Sequence, residues 1–232
     1  MTPRSFPYIW VTWITGVLAG DDLCEWAPWF KAHYQGYPKV RNGNGALLVQ
    51  WKADHADQVR QRAAELTAEG WTVYLERQNK LKVKGHTAEL GGVADIVAVK
   101  LPPADDTTCP VEALIVDVKS GKERDKDVWQ VFVYMRFLPK VHDVLRHFKD
   151  RLVLHGEVRY PTGAVEFSEA SLTEKTRARI ETTIKKLALP VVPAKMPSED
   201  ECLYCDVGPC PARVTSTKTP DQVVEPDPEA GF

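Results

Sequence analysis

The sequence predicts an α/β fold, a sheet of core strands with helices packed around it. Two short apolar runs point to the sheet: GGVADIVAVK at 91–100 and VEALIVDVKS at 111–120 are rich in Val, Ile and Leu and are bounded by Gly, Pro and Asp, as core strands are. Segments with apolar residues recurring at three and four lie before and after these runs and point to the helices. A chain of 232 residues is long enough to bury one good core with a small appendage. Its apolar and charged fractions, 44% and 27%, are those of an ordinary globular protein.

In chain order, residues 1–10 form an extended lead-in, with Pro3 and Pro7 opposing helix. Thr12 caps a short helix that runs through Ala19 and ends at Gly20. EWAPWFKAHY, at 25–34, is a second helix whose tryptophans pack in the core, with base stacking as the less favoured reading. RNGNG at 41–45 is a turn, without the Lys-Ser/Thr ending of a phosphate-binding loop. The run 53–70 is a helix with Asp54 as N-cap, Asp57 at the third position, and Val59, Ala63 and Leu66 as its stripe, closed by Gly70. His55 falls in its first turn.

WTVYLERQNKLKVKG, at 71–85, reads as the first strand of the sheet, with Glu76 inside it and Lys80, Lys82 and Lys84 on one face. That lysine stripe is either solvated or tracks a phosphate backbone. After the two core runs, KERDKDVWQVFVYMRFL has helical spacing, with Val128, Val131, Phe132, Met135 and Leu138 apolar and Gln130 and Tyr134 an i, i+4 pair. A basic stretch at 139–151 follows, then strands RLVLHGEVRY and AVEFSEA joined by a Pro161-Thr162-Gly163 turn. SLTEKTRARIETTIKKLAL is an amphipathic helix with Ile180, Ile184 and Leu187 inward, closed by Pro190 and Pro193. From about Thr215 the tail is polar and aperiodic, and disorder is expected. No internal repeat is evident.

The net charge of −2 is not a nucleic-acid signature, so any DNA contact must come from a local basic surface. No apolar run approaches the ~20 residues of a membrane span. PYIWVTWITGVLAG, near the N-terminus, lacks a basic flank and a small-residue cleavage site and is not read as a signal peptide.

Each core run carries a charge that a buried strand should not have. The first holds Asp95; the second holds Asp117, with Lys119 two residues on. Side chains at i and i+2 share a face, so Asp117 and Lys119 project together while Val116 and Val118 point to the other side. If the runs pair as an antiparallel hairpin, Asp95 approaches Asp117. A plain salt bridge is the bland reading. Yet unpaired charge in an apolar strand is costly and paired carboxylates repel unless a cation lies between them. Such oxygen donors suit a hard divalent ion such as Mg²⁺.

Cys202, Cys205 and Cys210 form a C-x-x-C with a third cysteine five residues on, in a loop bounded by Pro and Gly. Three thiols so close suggest metal ligation in a reducing compartment, as zinc or an iron–sulfur cluster, both of which want four ligands. The fourth is Cys24 or Cys109.

Taken in order, G-x-x-D ending at Asp95, D-x-K at Asp117 and Lys119, and Q-x-x-x-Y at Gln130 and Tyr134 resemble the PD-(D/E)XK nuclease superfamily in its RecB-like branch. The resemblance covers roughly residues 12–212. It implies a restriction-endonuclease-like core, with a central mixed sheet flanked by helices, and a metal-dependent DNA exonuclease acting on DNA ends, single-stranded by preference, in recombination, repair, phage replication or CRISPR-linked processing. Asp95, Asp117, the Val118 carbonyl and His55 would hold Mg²⁺ or Mn²⁺, with Glu76 as an accessory acid; His33 and His86 are weaker candidates. Lys119 would position or activate the attacking water, and Gln130 and Tyr134 would orient the DNA strand or the ligands.

Similarity to the CRISPR-associated and phage RecB-like exonucleases implies a 4Fe–4S cluster on Cys24, Cys202, Cys205 and Cys210 that staples the chain ends, leaving Cys109 over; zinc is the alternative. The implied layout is an N-terminal helical segment at 1–50, a nuclease core at 51–190, a cysteine segment at 191–214 and a disordered tail at 215–232. Two departures are noted: the second acid is Asp rather than the commoner Glu, and Ala94-Asp95 replaces Pro-Asp. A bacterial or phage-infected host cytoplasm is the expected location, with DNA and a protein partner in recombination or CRISPR adaptation expected and no membrane. The alternative function is a DNA-end-binding component with weak or no cleavage.

Overall fold

The computed structural model describes residues 1–40, 45–103 and 108–215, with side chains from 49 onward in the second stretch. The expected turn at 41–45 and the expected disordered tail therefore fall almost wholly outside the described residues. In chain order the elements are β1 (Thr2–Pro3), β2 (Tyr8–Trp10), α1 (Val11–Ala19), α2 (Trp26–His33), β3 (Tyr34–Gln35), α3 (Gly45–Ala68), β4 (Thr72–Leu75), β5 (Lys80–Lys84), β6 (Glu89–Val93), β7 (Ile96–Lys100) and β8 (Val111–Val118). They continue with α4 (Asp125–Phe137), α5 (Asp143–His147), β9 (Leu152–Tyr160), β10 (Gly163–Ser168), α6 (Glu174–Ala188) and α7 (Glu199–Tyr204).

The architecture is mixed α/β. The main sheet has the order β10-β9-β8-β7-β4; β8 and β9 run parallel and the other neighbours antiparallel. A smaller sheet, β2-β6-β5, stands beside it, and β1 pairs with β3. The parallel β8–β9 pair needs a crossover, which α4 and α5 supply.

The β7 and β8 runs lack polar alternation because both of their faces are buried. Val97, Val99, Ala113 and Ile115 join the large core with α1 and α4. Ile96, Ala98, Leu114, Val116 and Val118 pack with Val59, Ala63 and Leu66 of α3. The alternation thus puts Val116 and Val118 under α3 and leaves Asp117 on the opposite side, as the period of two requires.

α1 is apolar nearly all round and correspondingly interior, with Val11, Ile14 and Leu18 buried. Gly20 ends it in the left-handed conformation at φ 90°, its N–H donating to the Gly16 carbonyl at 2.9 Å. The start differs from expectation: extended Trp10 occupies the N-cap, and Thr12 lies within the helix. The aromatic helix α2 is core packing as expected, with Trp26 stacked on Phe30 at 4.9 Å and Trp29 Nε1 donating to the Leu189 carbonyl.

Three further boundaries differ. Helix α3 begins at Gly45, so Asp54 is not its cap and His55 lies in mid-helix. Nothing between Gly45 and Asp54 breaks a helix, and Asp54 accepts from Gln50 four residues back at 2.7 Å, a helical surface pair. The run 71–85 is not one strand: β4 and β5 belong to different sheets, and residues Glu76–Asn79 between them form a 3₁₀ turn. Glu76 adopts φ 38°, which turns the chain, and the Gln78 side chain accepts from Leu75 N–H at 2.9 Å. Likewise 91–100 is split, β6 serving the small sheet and β7 the main one, with Asp95 at the crossing rather than inside a strand.

Candidate active site

Both interruptions occur at one place. Strands β7 and β8 pair Ile96 with Val116, and one step further along that register Asp95 stands opposite Asp117. Asp95 Oδ2 accepts the Val118 N–H at 2.7 Å, which ties the first acid to the residue following the second. Asp95 Oδ1 lies 3.4 Å from His55 Nε2, reached from mid-α3. Trp51, one turn earlier, stacks on the His55 ring at 5.3 Å and 8° between planes.

Asp117 is 1% exposed. Its Oδ1 accepts from Gln130 Nε2 at 2.7 Å, and its Oδ2 faces Lys119 Nζ at 3.0 Å. Lys119 Nζ in turn donates to Gln130 Oε1 at 3.1 Å, closing a three-membered ring of contacts. The Lys119–Asp117 contact is an ion pair whose carboxylate is buried. Tyr134 is buried one turn further along α4, and its hydroxyl donates to the Val93 carbonyl at 2.8 Å. Tyr134 thus fixes the end of β6 instead of touching the carboxylates. Gly92 makes this approach possible: an added Cβ would lie 3.0 Å from the Tyr134 hydroxyl oxygen and 2.8 Å from Val11 Cγ2.

The helix α4 face turned toward the sheet is polar at Asp127, Gln130 and Tyr134, and all three are buried. Burial of Gln130 is tolerable because both ends of its amide are used. Burial drives the Asp117 carboxyl up to about 7, against the pull of Lys119 and with Asp95 adding to the rise. Burial pulls His55 down, but its contact with and attraction to Asp95, with Asp117 beyond, outweigh that and raise it above 6.5.

These residues line one cavity of about 1440 Å³. Asp95, Asp117, Val118, Lys119, Gln130, Tyr134, His55 and Glu76 all border it. Glu76 is exposed and its backbone N–H donates to the Asp95 carbonyl at 3.0 Å. Of the lysine stripe on β5, Lys80 and Lys82 reach the cavity, while Lys84 lies over the Phe6 ring. His33 binds the Leu187 carbonyl at 3.0 Å and His86 is exposed beyond β5; neither borders the cavity.

Sequence reasoning missed two site residues, Asn79 and His142. Asn79 is buried in the 3₁₀ turn, and its Nδ2 donates to the carbonyls of Tyr74 at 2.8 Å, Ala94 at 3.2 Å and Asp95 at 3.4 Å. His142 Nε2 meets its Oδ1 at 3.3 Å. A polar residue in a stretch read as strand was the available signal.

All five cysteines are free, and Cys109 stands apart from the other four. Cys109 is exposed, whereas Cys24, Cys202, Cys205 and Cys210 are buried or half-buried and border the same cavity. Segments 23–40 and 201–213 meet around them. Glu201 accepts from the Cys24 N–H at 3.0 Å and also from that of Leu23, and Val40 and Gly208 bond across to Asp206 and Pro38. Arg213 ties the loop by donating to the carbonyls of Cys202, Cys205 and Val207. Among the described residues, however, no group of three or more His, Cys, Asp or Glu side chains is arranged to hold a metal ion. The expected cysteine staple is therefore not assembled as a ligand set: the ends are joined by hydrogen bonds and by the Lys31–Asp206 ion pair at 2.6 Å.

No helix among the described residues is long and apolar enough to cross a membrane. No family model and no curated protein match the chain. Among solved structures it is similar to a protein named SSO0001, at 15% identity and a TM-score of 0.41, over 92% of this chain and 90% of that one. A likeness at that level carries no argument.

Proposed function

We propose that this chain is a metal-dependent deoxyribonuclease of the PD-(D/E)XK superfamily, RecB-like branch, working from DNA ends as an exonuclease. The observation that carries the reading is the convergence of Asp95, Asp117 and Lys119 at the adjoining ends of two paired strands, facing a cavity bordered by Lys80 and Lys82. A purely structural ion pair would not need a second carboxylate beside it, since like charges raise each other's cost.

By donor chemistry the residues suit a hard divalent ion, though, like the cysteines, they are not arranged as a ligand set among the described residues. His55 Nδ1 is buried without a hydrogen bond, and the donors are carboxylate oxygens with one imidazole. Asp95, Asp117, His55 and the Val118 carbonyl would hold Mg²⁺ or Mn²⁺, with Glu76 beside them. When bound, the ion supplies Lewis-acid polarisation of a phosphoryl oxygen and eases loss of the proton from the attacking water. Lys119, fixed by Gln130, holds a positive charge where the phosphate becomes more negative. Gln130 orients both Asp117 and Lys119, and Tyr134 keeps β6, and so the approach to Asp95, in place.

The thiols of Cys24, Cys202, Cys205 and Cys210, which border one cavity, are the donor type that a 4Fe–4S cluster, or zinc as the alternative, would take. The backbone N–H of Val214 donates to Cys202 Sγ at 3.5 Å.

The experiment is digestion of end-labelled single- and double-stranded DNA with Mg²⁺ or Mn²⁺, with and without EDTA. A metal-dependent ladder growing from one end is expected. Tight binding of DNA ends with no cleavage by metal-replete protein would overturn the enzyme reading in favour of an end-binding component.

A further inference from the structure

We propose that Asn79, held by His142, is a positioning residue that sets Asp95 against Asp117. The catalytic consequence rests on the nuclease reading; the positioning itself does not.

Asp95 lies at the crossing between two sheets, one residue before the β7 ladder begins and outside both sheets. The 3₁₀ turn Glu76–Asn79 holds its backbone there. The Asp95 carbonyl receives the Glu76 N–H at 3.0 Å and the Asn79 amide at 3.4 Å. The preceding peptide is held twice, by Asn79 Nδ2 on the Ala94 carbonyl and by the Ala94 N–H on the Asn79 carbonyl at 3.4 Å. Asn79 is 0% exposed, so water does not compete for these groups.

The orientation of the Asn79 amide follows from its partners. Three carbonyl oxygens only accept, so the nitrogen must face them and Oδ1 must face His142. His142 must then carry its proton on Nε2 to donate. Its Nδ1 is left to accept, and the Leu145 N–H faces it at 3.5 Å. The ring packs edge-on against Tyr74 at 5.5 Å, and burial lowers the pKa of His142, which keeps the imidazole neutral. His142 thereby locks Asn79 in one of two amide orientations, and the locked amide fixes the backbone that bears Asp95. The turn stores strain at Glu76, whose φ of 38° an ordinary residue rarely adopts, so it needs this fastening.

The test follows the Val118 amide, which bonds Asp95 Oδ2 and so reports where that carboxylate lies. Amide hydrogen exchange and proton shift are recorded for wild type, Asn79→Ala, His142→Phe and His142→Gln, with β9–β10 amides as the fold control. Asn79→Ala and His142→Phe are expected to speed Val118 exchange about 10-fold or more while the control amides hold. His142→Gln, which keeps an N–H donor, is expected to restore most of the protection. In cleavage assays the first two variants lose about 10²-fold, mainly in kcat, with DNA affinity retained. Unchanged Val118 exchange in both Asn79→Ala and His142→Phe would overturn the positioning claim whether or not the chain cleaves DNA. Faster Val118 exchange in a protein that never cleaves DNA would leave the positioning standing and remove only the nuclease reading.

Discussion

Gln130 donates to Asp117 at 2.7 Å while accepting from Lys119 at 3.1 Å, so a single side-chain amide sets both halves of the ion pair. The amide cannot be reversed without facing its nitrogen to an ammonium and its oxygen to a carboxylate. Its polarity is therefore dictated by charge.

Gln130→Ala removes both bonds, and cleavage is expected to fall about 10²-fold, the scale of losing one preorganised donor. Gln130→Glu places a further carboxylate beside Asp117, which raises its pKa again. The ascending limb of the pH–rate profile is then expected to move to higher pH than in wild type. A profile that stays put would mean that Asp117 is not the group being titrated.

Asp117 makes stability depend on pH in a definite direction. Its folded pKa, about 7, lies above the ordinary 3.8, so the folded state holds this proton more tightly than the unfolded chain does. The contribution is present in full below 3.8 and is lost as pH rises through about 7. Metal-free protein is therefore expected to lose thermal stability across that window, and Asp117→Asn to flatten the decline. Added Mg²⁺ should raise Tm more above this window than below it, because protonated Asp117 does not ligate. Differential scanning calorimetry at several pH values checks all three.

Lys119→Ala is expected to abolish cleavage, and its structural cost should be pH-dependent. Stranding a buried charge ordinarily costs about 3–5 kcal/mol. Here Asp117 can escape by taking up a proton, so the variant should be close to wild type in Tm at acidic pH and fall behind as pH rises. Circular dichroism melts alongside cleavage assays separate the loss of chemistry from the loss of fold.

Protein purified anaerobically is expected to contain iron and inorganic sulfide, with Cys24→Ala or Cys202→Ala losing both and Cys109→Ser losing neither. Zinc without iron in freshly made protein would replace the cluster with the alternative ion. Elemental and sulfide analysis decides between them.

The strongest signals in the sequence were charges in the wrong place. Asp95, Asp117 and Lys119 stood out because β7 and β8 are apolar on both faces over most of their length, and the structure brings them together at the adjoining ends of these two interior strands. Helical stripes on α4 and α6 were equally plain: Val131, Met135, Leu138, Ile180 and Leu187 are buried. The breaks at Glu76–Asn79 and Ala94–Asp95 were not legible, because 71–85 and 91–100 keep a strand-like pattern while the chain changes sheets. What ends those strands is tertiary: the Asn79 amide reaches carbonyls up to sixteen residues away, and periodicity carries no record of that. Helix α3 began early for a similar reason, since an Asp that reads as a cap can equally be a surface partner of Gln50.

The join between segments far apart in sequence has a bearing on how the cavity is closed. Glu201 and Arg213, which fasten the wall containing Cys202, Cys205 and Cys210, come from the end of the described chain, and Glu201 grips Cys24, 177 positions earlier. On a ribosome the strands bearing Asp95 and Asp117 emerge long before that wall. A chain lacking Glu201 and Arg213 would keep Asp95 and Asp117 at the adjoining ends of their paired strands and lose the hydrogen bonds that fasten the cysteine-bearing wall.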